Sequence, residues 1–176
     1  QRSQTDVVAD AIDLRRKLEE LADMERTKTG NAIRPIVLFQ AQPRGKEDST
    51  TFEKLRCKLV EAGIPAEHIA IKTAETNELK NVDLLSDSCP VRYIITVNAL
   101  KEGWDCPFAF ILASLANRTS RVDVEQILGR ILRHSIGDVD QSRDSRLARW
   151  ANRARIIFSP TNCFAGLIFR VPDVNK

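Results

Sequence analysis

The amino-acid sequence predicts an α/β fold, with a mostly parallel sheet flanked by helices and an N-terminal helix in front of it. Short apolar runs rich in β-branched residues recur along the chain, as is typical of strands buried on both faces of a parallel sheet. Segments with apolar residues at helical spacing accompany these runs. The chain has 176 residues, of which 43% are hydrophobic and 29% charged, so it can bury one sizeable core.

The amino-terminal part of the chain is predicted to hold a long helix, a strand and a second helix. An apolar seam predicts a helix over about 5–24 and consists of Val7, Ala11, Leu14, Leu18 and Leu21. We expect this helix to pack on the domain or to lead in from a preceding one, since the seam is short for a coiled coil. A connector is predicted at 27–32, a buried strand at Ile36–Gln40 and an amphipathic helix at 51–62 that Gly63 caps.

The later strands complete the predicted sheet, and they lie at 69–71, 91–97, 109–113, 156–158 and 167–171. These elements divide the chain into an N-terminal helix with its connector, residues 1–32, and an α/β domain, residues 33–176.

A polar loop joins the strands predicted at 91–97 and 109–113. In open α/β sheets ligands bind at the carboxyl ends of the strands, and this loop occupies that position. Gly103 can adopt backbone conformations closed to other residues. Asp105 offers an acceptor for a ribose hydroxyl or an arginine. Taken alone, the same residues also suit a glycine turn with a capping aspartate.

The segment VDVEQILGRILR, residues 122–133, predicts a short amphipathic helix. Its apolar face is formed by Val124, Ile127, Leu128, Ile131 and Leu132. Gln126, Arg130 and Arg133 project from one polar stripe. Gly129 costs about 1 kcal/mol relative to alanine inside a helix, which suggests close approach by an anionic group such as a transferring phosphoryl. An ordinary solvated helix face is the alternative interpretation of this pattern.

Together the loop and the helix resemble motifs V and VI of superfamily 2 helicases and translocases. The stretch NALKEGWDCPFAFILASLANRTSRVDVEQILGRILR is most similar to the restriction (Res) subunit of type III restriction-modification enzymes and their helicase-like relatives. About forty residues carry this similarity in detail. The resemblance implies that residues 33–176 form a RecA-like domain, the second of the two in such a motor.

The resemblance also implies roles for individual residues. Arg130 and Arg133 would be catalytic arginine fingers that reach the γ-phosphate of ATP across a domain cleft. The expected nucleotide-binding residues are Gly103 and Asp105 of motif V and Gln126 and Gly129 of motif VI. Thr96 would lie near the nucleic-acid backbone. Gln126 stands where the DEAD-box branch has histidine, so the chain does not fit that branch.

The sequence contains no phosphate-binding loop of its own. No GxxxxGK[ST] pattern occurs, and Arg44-Gly45-Lys46-Glu47 fails because Glu47 replaces the hydroxyl residue and Gln40 stands where the first glycine belongs. No DExx box follows a buried strand either. We therefore expect ATP and Mg²⁺ to be held by a first RecA-like domain of the same protein, and this chain alone not to hydrolyse ATP. No nuclease module is recognisable.

Basic residues are concentrated late in the chain, although the net charge is only +3. Arg146, Arg149 and Arg153 could share one face of a helix over about 142–152, and such a stripe suits the phosphate backbone of double-stranded DNA. Pairing with the acidic residues at 138, 140 and 144 is an equally supported interpretation.

The spacing of the cysteines and the hydropathy of the chain indicate the cellular compartment. The four cysteines are widely spaced and form no zinc pattern with the two histidines, so we interpret them as reduced thiols of a cytoplasmic protein. No run of about 18 apolar residues predicts a membrane span, and no signal-peptide pattern is present.

The leading hypothesis is a second motor domain of a DNA translocase or helicase from a type III restriction endonuclease. The alternative is a helicase-like module without an ATP role that binds nucleic acid or a methyltransferase (Mod) subunit. A third, weaker interpretation is an α/β enzyme with Asp105 and Cys106 in a pocket.

Overall fold

A computed structural model describes residues 3–30, 32–42, 51–97, 108–115, 155–158 and 168–170. In these ranges the elements are α1 (Gln4–Thr29), β1 (Ile36–Gln40), α2 (Phe52–Glu61), a 3-10 turn (Ala66–His68), β2 (Ile69–Lys72), β3 (Tyr93–Thr96), β4 (Ala109–Ser114), β5 (Arg155–Phe158) and β6 (Ile168–Arg170). The predicted α/β class, with its mostly parallel sheet, flanking helices and N-terminal helix, is confirmed. No helix in the described ranges combines the length and apolar character needed to cross a membrane.

The six strands form one sheet in the order β2-β3-β1-β4-β5-β6. The first five strands of this order run parallel, and β6 is antiparallel to β5. Every predicted strand is present, although β3 is shorter than the predicted range 91–97. Arg92, just before β3, still donates its N–H to the carbonyl of His68 and accepts from the N–H of Val37.

Helix α1 is longer than predicted. The N–H of Asp6 donates to the Ser3 hydroxyl, and the Ser3 N–H donates to the Asp6 carboxylate, so the helix begins with a capping box. It continues through residues 27–29, predicted as connector, where the hydroxyls of Thr27 and Thr29 donate to carbonyls one turn earlier. It stops at Gly30, whose φ of 74° is left-handed.

The buried face of α1 packs on the sheet, in contact with β1, β4 and β5. Its buried residues are Val7, Val8, Ala11, Ile12, Arg15, Leu18 and Ala22. Leu14 and Leu21 of the predicted seam are only partly buried, whereas Arg15 lies inside the stripe. The helix therefore belongs to the same core as the sheet and brings a charged side chain into it.

Helix α2 begins and ends within one residue of the predicted range 51–62. The Thr51 hydroxyl accepts from the N–H of Lys54 at the start. At the end, Gly63 has a φ of 85° and donates to the carbonyl of Val60 at 2.9 Å, while Ile64 donates to Leu59 at 3.1 Å. This pair of bonds is a Schellman motif, so the predicted cap at Gly63 is confirmed.

The two faces of the sheet are covered differently in the described part of the chain. Both α1 and α2 pack on one face, against residues that include Val37, Phe39 and Ile95. The opposite face is covered by the irregular segment 73–91, through Leu79, Leu84, Cys89 and Val91. The same segment protects the edge of β2, because Glu78 pairs with the backbone of Ile71 through both its carboxylate and its N–H.

Candidate functional site

The carboxyl ends of three neighbouring strands meet at one edge of the sheet, which we call the carboxyl edge. In the register of the sheet Gln40, the last residue of β1, lies beside Thr96 of β3 and Ser114 of β4. Adjacent strands are about 4.8 Å apart, so the ends of β3 and β4 are separated by about 10 Å. The polar loop and the segment leading to residues 122–133 therefore leave the sheet on either side of β1.

A row of polar side chains lies at the ends of these strands, on the face of the sheet opposite α1 and α2. Thr96 and Ser114 are fully buried and Gln40 is 7% exposed. Lys72, at the end of β2, continues the row beside Thr96 and is only partly buried. Buried polar groups need hydrogen-bond partners, so the row must be held by specific bonds.

Four hydrogen bonds join the strand ends. The N–H of Ala41 donates to the carbonyl of Thr96 at 2.8 Å, and the N–H of Leu115 donates to the carbonyl of Gln40 at 2.9 Å. The Ser114 hydroxyl donates to Gln40 Oε1 at 2.9 Å, and Gln42 Nε2 donates to the carbonyl of Leu115 at 2.9 Å. The residues that follow β1 are thus bonded to the ends of both neighbouring strands.

The polar side chains at the centre of the carboxyl edge are uncharged. The side chains at the ends of β1, β3 and β4 are one amide and two hydroxyls, and a second amide follows at Gln42. These groups donate and accept hydrogen bonds but do not supply a carboxylate, thiol or imidazole for acid–base or nucleophilic work. The centre of the described edge can therefore hold the chain that leaves it, while charge for a reaction must come from Lys72 at its margin or from residues outside the described ranges.

Of the residues predicted to form the site, the described ranges include Thr96 alone. Its side chain has no exposed surface, and its predicted proximity to a nucleic-acid backbone stays a prediction. The others lie outside the described residues, so their predicted clustering is not decided: Gly103, Asp105, Gln126, Gly129, Arg130, Arg133, Arg146, Arg149 and Arg153.

The chain enters β4 through an irregular turn at the opposite, amino edge of the sheet. Phe108 has a φ of 63°, a left-handed conformation that is uncommon for a residue other than glycine. The pairing of β1 with β4 also shifts register between Ile36 and Val37. The Phe108 carbonyl accepts from the N–H of Ile36 at 2.9 Å, and the guanidinium of Arg34 lies 5.8 Å from its ring centre. The end of the polar loop is therefore fixed at its entry to β4.

The amino edge also holds an ionic cluster that joins α1 to β3. Arg15 Nε donates to the Tyr93 hydroxyl at 2.8 Å, and Arg15 Nη2 lies 2.6 Å from a Glu19 carboxylate oxygen. Arg92 Nε lies 3.3 Å from the other Glu19 oxygen. Arg15 Nη1 is buried and has no hydrogen-bond partner among the described residues, which is a destabilising feature.

The cluster shifts the pKa values of its charged groups. Partial burial alone would raise the pKa of Glu19, but the hydrogen bond and charge of Arg15, with those of Arg92, lower it. Burial alone would lower the pKa of Arg15, whereas its bonds to Glu19 and Tyr93 raise it. Both groups are therefore held in their charged forms by one another.

A groove of about 460 Å³ lies between α1 and the end of α2. Val8 and Ile12 give it an apolar floor, and its charged residues balance as two acidic and two basic side chains: Asp13, Arg16, Lys58 and Glu61. None of its lining residues comes from a strand, so the groove is separate from the carboxyl edge.

The residue pattern of the sequence did not single out Gln40, Gln42 or Ser114 as part of a site. The available signal was a polar residue placed directly after an apolar run, in IVLFQ and AFILAS. It also missed the buried Arg15 and the capping role of Arg34, whose guanidinium donates to the carbonyls of residues 84 and 86.

Comparison with protein-family models, with curated proteins and with solved structures found no match to this chain.

Proposed function

We propose that this chain is the second motor domain of an ATP-dependent DNA translocase or helicase, similar to that of the Res subunit of type III restriction enzymes. The proposal begins from the resemblance of residues 98–133 to motifs V and VI. It is supported by the α/β fold with a mostly parallel sheet, the architecture that the resemblance implies.

The observation that carries the proposal is the arrangement of β3, β1 and β4. These strands are parallel neighbours, and the register aligns the last residues of β3 and β4 with the last residue of β1. The loop that resembles motif V starts after β3, and the segment that reaches motif VI starts after β4. Both therefore leave the edge at which ligands bind in open α/β sheets.

The proposed chemistry assigns distinct tasks to the two motifs. Arg130 and Arg133 stabilise negative charge that develops on the γ-phosphate, a contribution worth about 10³–10⁵ in rate in other phosphoryl-transfer systems. Gly103 and Asp105 of motif V contact the nucleotide or couple it to motif VI. Gln126 and Gly129 of motif VI belong to the same nucleotide-binding site. ATP and Mg²⁺ are held by a first RecA-like domain, because this sequence contains no phosphate-binding loop.

The partners follow from the same proposal. Double-stranded DNA is the proposed nucleic-acid partner, and the Arg146, Arg149 and Arg153 stripe is the proposed contact to its backbone. Thr96, whose side chain is fully buried, is proposed to lie near that backbone. A methyltransferase (Mod) subunit is a further proposed partner. The cytoplasm is the proposed compartment, where ATP and DNA are both present.

The test uses the polypeptide that contains both motor domains. Arg130→Ala and Arg133→Ala should each lower DNA-stimulated ATP turnover by about 10³-fold or more, while ATP affinity changes little. The reason is that the arginines meet charge that develops in the transition state, after the partner domain has bound the nucleotide. Turnover and nucleotide affinity are measured on the same preparations.

Arg118→Ala is the matched control, since Arg118 is a nearby arginine outside both motifs. It should leave turnover within about twofold of the unaltered protein, because the proposed function gives Arg118 no contact with the nucleotide. Near-normal turnover in both Arg130→Ala and Arg133→Ala would remove the arginine-finger role. A module that binds nucleic acid or a methyltransferase subunit without an ATP role would then be the better hypothesis.

A further inference from the structure

The side chain of Gln42 makes the one side-chain bond we find between the chain after β1 and the chain after β4 in the described ranges. Gln42 lies two residues beyond the end of β1 and is 5% exposed. Its Nε2 donates to the carbonyl of Leu115, the first residue after β4, at 2.9 Å. Leu115 is itself fully buried, so this carbonyl is held within the packed part of the domain.

The backbone bonds of the sheet do not account for this contact. Ala41 bonds to the end of β3 and Leu115 bonds to Gln40, which are continuations of the parallel ladder. The Gln42 amide adds a bond beyond the last ladder position. Such a bond holds the Leu115 carbonyl in place at the point where the chain leaves β4.

The position of this bond in the chain gives it a consequence for the proposed site. Six residues, 116–121, separate Leu115 from the predicted motif VI helix, and Arg130 follows in that helix. Through Ala41, the same short stretch after β1 is bonded to the end of β3, where the motif V loop begins. The stretch after β1 thus contacts the end of β3, which precedes the motif V loop, and the end of β4, which precedes the segment that leads to motif VI.

We propose that Gln42 is a positioning residue that sets the direction of the motif VI segment relative to motif V. This inference rests on the proposed motor function and adds a residue to it. Gln42 contacts neither nucleotide nor DNA in this proposal. Through its bond to the Leu115 carbonyl, it influences the positions of Arg130 and Arg133. Misplacement of a reacting group by about 1 Å can cost about 10²-fold in rate, so the loss of one such bond should be visible in turnover.

The test compares Gln42→Met with Thr73→Val in the polypeptide that contains both motor domains. Methionine keeps the length of the side chain and removes the donor. Thr73 is the matched control, because it is 8% exposed, follows β2 and accepts a hydrogen bond from the N–H of Thr76, away from β4. Gln42→Met should lower kcat for ATP by about tenfold with KM within about twofold, and Thr73→Val should leave both unchanged.

Turnover is expressed per folded molecule, and Gln42→Glu is measured in parallel. The glutamate keeps the shape of the side chain but turns an acceptor toward the Leu115 carbonyl, so it should show a similar loss of kcat. If both variants only reduce the folded fraction and each folded molecule turns over normally, Gln42 is structural and the positioning role is wrong.

A double-mutant cycle with Arg130→Lys separates this inference from the proposed function. If Gln42 acts through motif VI, the combined loss in kcat should be smaller than the product of the two single losses. A fully multiplicative loss would contradict action through Arg130. If Arg130→Lys, Arg130→Ala and Arg133→Ala all leave turnover intact, the proposed function fails. If those variants are impaired while Gln42→Met matches Thr73→Val, the positioning role alone fails.

Discussion

The two edges of the sheet use polar side chains in opposite ways. At the amino edge, guanidinium groups are held by fixed partners: Arg15 and Arg92 by Glu19, and Arg34 by backbone carbonyls of the segment 83–88. At the carboxyl edge, buried amides and hydroxyls bond to one another and to the chain leaving the sheet. One edge contains charged side chains that protein groups already hold, and the other contains no charged side chain in its centre.

Under the proposed function, this difference separates the polar groups that stabilise the fold from those that lie near the proposed site. The arginines of the amino edge have ion-pair, cation–π or carbonyl contacts, so they are committed to fastening α1 and the segment 73–91 to the sheet. The carboxyl edge instead presents the starts of two segments, of which the one that follows β4 carries arginines in the sequence and the one that follows β3 carries Lys101. Charge that acts on a ligand is thus expected at the second edge.

The largest effect on stability is expected for Arg15→Met at the amino edge. The substitution leaves the Tyr93 hydroxyl without its donor and leaves Glu19 with Arg92 alone. It also removes the unpartnered Nη1, which offsets part of the loss. We expect the free energy of unfolding of the 176-residue chain to fall by about 2–3 kcal/mol, measured by chemical denaturation.

Ser114→Ala is the matching change at the carboxyl edge. It removes a neutral donor and leaves Gln40 Oε1 without that bond, so we expect a smaller loss, about 1–2 kcal/mol. If Ser114→Ala destabilises the chain more than Arg15→Met, the amino edge is not the main polar contributor to stability, and the comparison between the edges is wrong.

A smaller effect is expected in the pH dependence of stability. The pKa of Glu19 is lowered in the folded chain by Arg15 and Arg92, so the stability from this carboxylate is complete above its unfolded pKa. It is lost as the pH falls through the lower folded pKa. The difference in unfolding free energy between the unaltered chain and Glu19→Gln should therefore be constant above about pH 6 and shrink below about pH 4.

Ser114→Ala provides the control for this pH series, because its bond to Gln40 joins two groups that do not titrate in this range. Its effect on unfolding should be the same at each pH. A Glu19→Gln effect that stays constant down to strongly acidic pH would show that the ion pairs do not stabilise the fold.

The sequence was sufficient to predict the strands, because apolar β-branched runs identify buried strands without knowledge of their neighbours. It also identified Gly63, whose left-handed conformation is a local requirement of the helix end. The end of α1 was missed, since Thr27 and Thr29 look like connector residues unless their hydroxyls bond back into the helix. Each of these outcomes depends on residues that lie close together in the sequence.

The polar clusters could not be predicted because they depend on contacts between distant positions. Arg15 is buried by a tyrosine that lies 78 residues later, and Ser114 bonds to a glutamine that lies 74 residues earlier. The strand order, with β1 between β3 and β4, decides both pairings, and no residue pattern in a single sequence specifies it. Motif resemblance identified the arginines proposed to act, but not the side chains proposed to position them.

The most direct measurement is an experimental structure of the two-domain polypeptide with Mg²⁺ and a non-hydrolysable ATP analogue. The proposed function predicts the γ-phosphate beside the carboxyl edge of this sheet, with a guanidinium nitrogen of Arg130 or Arg133 within about 3 Å of a phosphate oxygen. A nucleotide seated beside the amino edge, or a closed complex in which both guanidinium groups point away from the γ-phosphate, would contradict it.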